Sequence, residues 1–251
     1  MTTRAKYING IQTFYDDKNF ETMMPMAALQ FADDFIGAGH TAGLPAAGSP
    51  VAGYPWVKKI VGAAPPTVAL ISNASGGQCQ NALTATSEKQ DAALYWNDNL
   101  SIDVTKGAVF ECRAALTVPP SAASLQMVLG LAAAWIDGPD NNVKYLEFGA
   151  TANANLLVRS QDGTTQSSIA ASNAGVAVAL DTAFHVFRID CSDVTDIGYY
   201  FDGARVNASK SIVYAATGAN AILQPYLAVY KPSGTGVATL VADKVDIWAN
   251  R

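Results

Sequence analysis

Residues 184–190, FHVFRID, and 197–206, IGYYFDGARV, carry the pattern on which the fold reading turns. In the first run His185, Phe187 and Ile189 alternate with Val186, Arg188 and Asp190. In the second, Ile197, Tyr199 and Phe201 alternate with Gly198 and Tyr200. Period-two alternation marks a strand with one face on a core. Asp202-Gly203, which closes the second run, is a hairpin turn signal.

Runs of the same kind recur over 56–61, 67–71, 80–85, 92–96, 108–116, 125–135, 145–149, 156–160, 166–170, 223–230 and 239–248. Turn residues separate them: Lys106-Gly107, Asp137-Gly138-Pro139, Asp162-Gly163 and Pro232-Ser233-Gly234. Alanine is abundant, but it sits among β-branched and aromatic residues with Gly or Pro every few positions, so strand outweighs helix. No repeat of fixed period is visible. The pattern predicts an all-β fold, a two-sheet antiparallel jelly-roll sandwich, over residues 31–251.

Parity sorts the faces. Phe110, Cys112, Ala114 and Leu116 are the apolar set of their run, and Leu146 and Phe148 of theirs. The opposite parity carries Glu111, Arg113, Glu147, Arg159, Arg188 and Asp190, which are read as lining one exposed sheet face.

Residues 1–30 stand apart as an N-terminal extended arm. They are too apolar for a free tail and too irregular in spacing for a helix. Tyr7, Ile11, Phe14, Tyr15 and Phe20 are the candidates for docking on a neighbouring subunit. Residues 37–55, rich in Gly, Ala, Pro and Ser, form a long loop of the kind that covers something or carries function.

Composition excludes several classes. The 251 residues are 50% hydrophobic and only 15% charged, with a net charge of −5, so no basic footprint for nucleic acid exists. Cys79, Cys112 and Cys191 are odd in number and widely spaced, which suits buried thiols in a reducing cytoplasm. The start carries Asp16, Asp17 and Glu21 and no apolar run of a secretory signal. The run from Met127 to Ile136 is far short of the roughly 18 residues of a membrane helix. No membrane or nucleic-acid partner is expected.

With these residues in view, 184–190 and 197–206 resemble the late strands of concanavalin A-like jelly rolls of the laminin-G and glucanase type. Residues 224–231, QPYLAVYK, and 239–248, TLVADKVDIW, resemble that superfamily's closing pair, and 31–35, FADDF, its opening strand. The whole layout, with its aromatic arm, 87–96 (SEKQDAALYW) and 107–113 (GAVFECR), resembles jelly-roll proteins encoded among the structural genes of tailed bacteriophages. That resemblance implies a non-enzymatic virion structural protein, head-decorating or otherwise capsid-associated. Such a protein would be made in the host bacterial cytoplasm, contact the major capsid protein or other virion proteins, and form homo-oligomers.

The catalytic signatures are missing. Glucanases of this fold place two carboxylates on alternate positions of one strand, because a retaining pair must lie about 5–5.5 Å apart. Here Glu111 is followed two residues on by Arg113, and Glu147 by Gly149. No G-x-S-x-G, P-loop or dinucleotide fingerprint is present. His40 reads as a loop residue and His185 as a hydrogen-bonded core-edge residue. No enzyme activity is expected and no cofactor. Calcium is the metal the resemblance to glucanases allows, at Asp33 or Asp34 and Asp246. The alternative function is carbohydrate binding to a host-surface polysaccharide through Trp96, Glu111, Arg113, Trp135, Glu147, Arg188 and Tyr200, with a glycoside hydrolase relative as a weaker variant.

Overall fold

A computed structural model of the chain describes residues 3–8, 11–16, 18, 22–23, 29–36, 43–51, 53–124, 126–151, 155–173 and 175–250. Every run read as a strand becomes one, and among the described residues the only helical pieces are short 3-10 turns. In chain order the strands are β1 (Thr3–Ile8), β2 (Ile11–Asp16), β3 (Thr22–Met23), β4 (Leu29–Asp33), β5 (Val57–Val61), β6 (Thr67–Leu70), β7 (Cys79–Ala82), β8 (Gln90–Tyr95), β9 (Ile102–Asp103), β10 (Val109–Val118) and β11 (Gln126–Ala132). There follow β12 (Lys144–Ala150), β13 (Leu157–Asp162), β14 (Gln166–Ala170), β15 (Ser172–Asn173), β16 (Val176–Ala177), β17 (His185–Asp190), β18 (Gly198–Phe201), β19 (Ala204–Arg205), β20 (Ile222–Lys231) and β21 (Thr239–Ala249).

Two eight-stranded antiparallel sheets form the sandwich. The terminal sheet runs β19-β18-β17-β10-β21-β7-β6, with β4 also on β21. The second sheet runs β14-β13-β12-β11-β20-β8-β5, with β9 also on β20. Strand β21 organises the first sheet: β10 lies along one edge, while the other edge is shared by β7 over Thr239–Ala242 and β4 over Val245–Ala249. The parity assignments hold. Phe110, Cys112, Ala114, Leu116, Leu146, Phe148, Phe187, Ile189, Ile197 and Tyr199 all face the shared core. Phe148 meets Phe187 and Tyr199 edge-on at 5.3 Å each across the sheets, the geometry aromatic quadrupoles prefer. The three cysteines are free and buried.

Asp162-Gly163 and Asp202-Gly203 turn the hairpins β13–β14 and β18–β19. Asp137-Gly138-Pro139 differs from the hairpin expectation: it lies within a loop, 133–143, that leaves the end of β11 and returns as β12. The arm is a separate three-stranded sheet, β1-β2-β3, outside both sandwich sheets. The side chains of Tyr7 and Ile11, and Phe20 as a whole, lie outside the described residues.

One buried cation staples the end of the second sheet. Lys231 is fully buried, and its Nζ donates to Thr84 O at 2.6 Å, Thr86 O at 2.7 Å and Gly236 O at 3.3 Å. Its cross-strand neighbour Gln90 holds the same loop through Thr84 N and Ala64 O. Lys231→Met keeps the stem and leaves the carbonyls without a donor, which costs about 1–3 kcal/mol. Thermal unfolding is expected to show a melting point several degrees lower, with an unchanged far-ultraviolet β spectrum.

Candidate functional site

Besides Lys231 and Asp162, the buried charges among the described residues lie on the outer faces of the two sheets. On the second sheet, outward parity brings up Asp91 and Tyr95 on β8, Tyr226 on β20, Val128 on β11, Tyr145 and Glu147 on β12 and Arg159 on β13. An outward face on water would leave these exposed, yet all are buried, Asp91 completely and Glu147 to 3% exposure. The cover is the loop 133–143. Its Trp135 packs on the cluster of Val57, Tyr95, Val128, Tyr145, Tyr226 and Ala228.

Polar contacts pin this loop at both ends. Trp135 Nε1 donates to Asp91 Oδ2 at 3.0 Å, and Trp135 N donates to Asp98 Oδ1 at 2.7 Å. Lys59 Nζ lies 4.3 Å from the Trp135 ring centre, a cation–π contact. Farther along, Asp137 pairs with Lys89, and Asp140 with Arg159 and Gln126. Arg159 Nε also lies 3.4 Å from Glu147 Oε1 and its guanidinium covers Tyr145. Two glycines make room for this pair. Gly130 sits opposite Glu147 with φ +155°, and a Cβ there would meet Leu146 O at 2.3 Å. A Cβ on Gly149 would meet Arg159 Cδ at 2.7 Å.

Burial sets the charge states. Desolvation pushes Asp91 up to about 7, with Trp135 and the lysines pulling it back. It pushes Glu147 up to about 8 against the attraction of Arg159. The two acids do not form a pair. Glu147 pairs with Gly130 on β11 and Asp91 with Tyr230 on β20, so they stand three strands apart and four residues out of step. At about 4.8 Å per strand and about 3.3 Å per residue the gap is roughly 20 Å. Two-carboxylate glycoside hydrolysis needs about 5–9.5 Å.

The terminal sheet places Glu111 directly opposite Asp246 and beside Arg188. Two carboxylates in register have side chains about 5 Å apart, a spacing the sequence reading did not anticipate. Each is matched by a cation. Arg188 grips Glu111 Oε2 through Nε at 2.6 Å and Nη2 at 2.5 Å, Lys244 pairs with Asp246 at 2.9 Å, and Arg113 pairs with Asp243. The space lined by Glu111, Arg113, Val186, Lys244 and Asp246 has no room for water. Lys6 of the arm lies close enough to feel Arg188, Glu111 and Asp190, and burial followed by Arg188 lowers its pKa.

The expected single charged face is therefore two. Glu111, Arg113, Arg188, Asp190 and Tyr200 belong to the terminal sheet, Glu147, Arg159 and the cover residue Trp135 to the second. Trp96 belongs to neither face. It sits at an end of the sandwich against Phe31 at 4.9 Å and Trp56 at 6.2 Å. Period two tells which parity points outward but not which sheet a strand joins. Asp91 was missed because the strand reading began at Ala92, whereas the strand starts two residues earlier, at Gln90.

The calcium candidates do not converge. Asp33 accepts from Phe35 N and Trp56 Nε1, Asp34 from Ile36 N, and Asp246 holds Lys244. Among the described residues no group of three metal-ligating side chains exists. These residues do not fit the ion.

Two clefts stay open among the described residues, and the larger, of about 520 Å³, is lined by Gly43, Leu44, Lys58 and the 69–73 stretch. The other carries the aromatic rings. It has a volume of about 420 Å³ and lies between Phe31, Tyr54, Val57, Trp96, Asn97, Asn99 and the loop residues Pro50, Val51 and Pro55.

No protein-family model matches the chain, and no curated protein is similar to it in sequence. Solved structures share its fold. They include a candidate β-glucanase from Mycobacterium abscessus (TM-score 0.53, 17% identity, covering 87% of this chain and 99% of that one). A cellulose-induced protein, Cip1, aligns with TM-score 0.52 and 14% identity over 88% of this chain and 98% of its own. A Shewanella oneidensis protein of unknown function aligns with TM-score 0.56 and 8% identity over 92% and 90%. At these identities the likeness is one of architecture: the chain has the two-sheet jelly-roll sandwich that these structures share.

His185 bonds through both ring nitrogens, Nδ1 to Asp202 Oδ2 at 2.6 Å and Nε2 to Asp181 Oδ1 at 2.9 Å, and stacks on Phe201. Neither nitrogen is left to act as a base. The hydrogen bond to Asp202 is the main cause that raises its pKa. A raised histidine contributes stability that is whole below its unfolded value and is lost as pH rises through the folded one. His185→Ala is expected to lower stability by about 1 kcal/mol at pH 5.5 and by less at pH 9, read by thermal unfolding at the two pH values.

Proposed function

We propose that this chain is a non-catalytic structural protein of a bacteriophage particle, head-decorating or otherwise capsid-associated. The observation that carries the reading is that the acids of neither outer face stand free: those of the terminal sheet are held in ion pairs, and those of the second lie under a loop. Glu111 and Asp246 are neutralised by cations in a space without room for water. Asp91 and Glu147 lie under the 133–143 loop, roughly 20 Å apart by strand spacing. A hydrolase of this fold needs its acids in an open groove.

The surface suits permanent association. Charged residues are only 15% of the chain, and Phe14, Ile36, Val51, Ile136, Val143, Val176 and Val213 stand exposed. Obligate interfaces are the more apolar ones. The arm supplies the docking element. It is a sheet of its own, Lys6 covers Tyr15, and Phe14 is left 38% exposed beside the buried Thr13.

A second reading, adhesion to a surface polysaccharide, is supported by the open cleft at Phe31, Tyr54 and Trp96. It moves the sugar away from Glu111, Arg113, Glu147 and Arg188, which are engaged in ion pairs.

Phe14→Asp is expected to leave the melting point unchanged and to cut incorporation into purified virions at least tenfold, measured by quantitative mass spectrometry of particles. Absence of the wild-type chain from those particles, or equal incorporation of the variant, contradicts the structural role.

A further inference from the structure

The aromatic cleft has a chemistry of its own. Its walls are Pro50, Val51, Pro55 and Val57, with the rings of Phe31, Tyr54 and Trp96. No Asp, Glu, Lys or Arg lines it. The acid nearest in sequence, Asp98, is engaged by Trp135 N and Gln224 Nε2. Its volume of about 420 Å³ falls within the roughly 300–1,000 Å³ of small-molecule sites.

The polar groups around it are unused. Among the described residues, no partner within the chain takes the Asn97 amide, the Tyr54 hydroxyl, the Asn99 Oδ1 or Trp96 Nε1–H; Asn99 Nδ2 alone is bonded, to Trp96 O at 3.0 Å. Asn97 and Asp98 both adopt left-handed backbone, φ +52° and +62°, which Asn and Asp tolerate better than other side chains. The bonds of Asp98 and Gln224 to the neighbouring segments hold that turn, and with it the two asparagines at the cleft.

Apolar rings beside groups that both donate and accept suit a ligand with C–H faces and many hydroxyls. An anion would find no cation here. A purely apolar chain would strand the amides. Building on the polysaccharide reading, we infer that this cleft binds one neutral pyranose unit, its ring against Trp96 and Tyr54 and its hydroxyls on Asn97, Asn99 and Tyr54.

The test is affinity electrophoresis of the full chain through gels containing dextran, laminarin, mannan or galactomannan, with alginate as the charged control. Asn97→Gly removes the amide while keeping the left-handed backbone relaxed, and Asn99→Ala removes the other. The expected result is retardation by at least one neutral polysaccharide and none by alginate. Each substitution should weaken retardation about tenfold, the loss of one well-formed hydrogen bond, Asn97→Gly with the melting point unchanged and Asn99→Ala with a small fall from the lost bond to Trp96 O. Retardation undiminished in the double variant places the sugar elsewhere and overturns the cleft assignment while the polysaccharide reading stands. Retardation by alginate alone overturns the neutral class. No retardation by any of the polysaccharides, alginate included, overturns both.

Discussion

The loop 133–143 lying across the second sheet is the contact on which the rest depends. It turns a sheet face that carries Asp91, Glu147, Tyr95, Tyr145 and Tyr226 from a groove into an interior. Burying ionisable groups is costly unless they are paired and hydrogen-bonded. Trp135 on Asp91 and Arg159 beside Glu147 offset part of that cost, but among the described residues Asp91 Oδ1 and Glu147 Oε1 accept no hydrogen bond, and burial raises the pKa of both acids. Gly130 and Gly149 are the steric condition for the second of these contacts, since any side chain there would collide with the Leu146 backbone or with Arg159.

The opposite face follows the same logic with different parts. Glu111 and Asp246 meet in register, which alone would repel, and Arg188 and Lys244 turn the row into alternating charge. With the acids of both faces engaged, what the described residues offer to others is exposed apolar side chains, the arm and two open clefts, one of them ringed by aromatics. One fold hosts many activities, so the glucanase-type architecture of its structural neighbours carries less weight than what fills the grooves here.

Much of the fold was legible in residue alternation. The run FHVFRID assigned its inward and outward residues correctly, and Asp162-Gly163 and Asp202-Gly203 marked true hairpins. The site was far less legible. Glu111 and Glu147 share outward parity but lie on opposite sheets, because local periodicity holds no information on which long-range partner a strand takes. Asp137-Gly138-Pro139 carries tight-turn chemistry inside a long loop, since the fate of that loop is set by Asp91 and Arg159, distant in sequence. The cleft draws on Phe31, Tyr54, Trp96 and Asn99, which no motif links.

The closed face is tested most directly by a carbon-13 carboxyl titration of Asp91, followed by nuclear magnetic resonance on the full chain. If the loop seals the sheet, Asp91 titrates near 7, because burial holds its carboxyl neutral at acidic pH. A midpoint near 4, the value of a solvated aspartate, would mean that water reaches the sheet and that the groove is open.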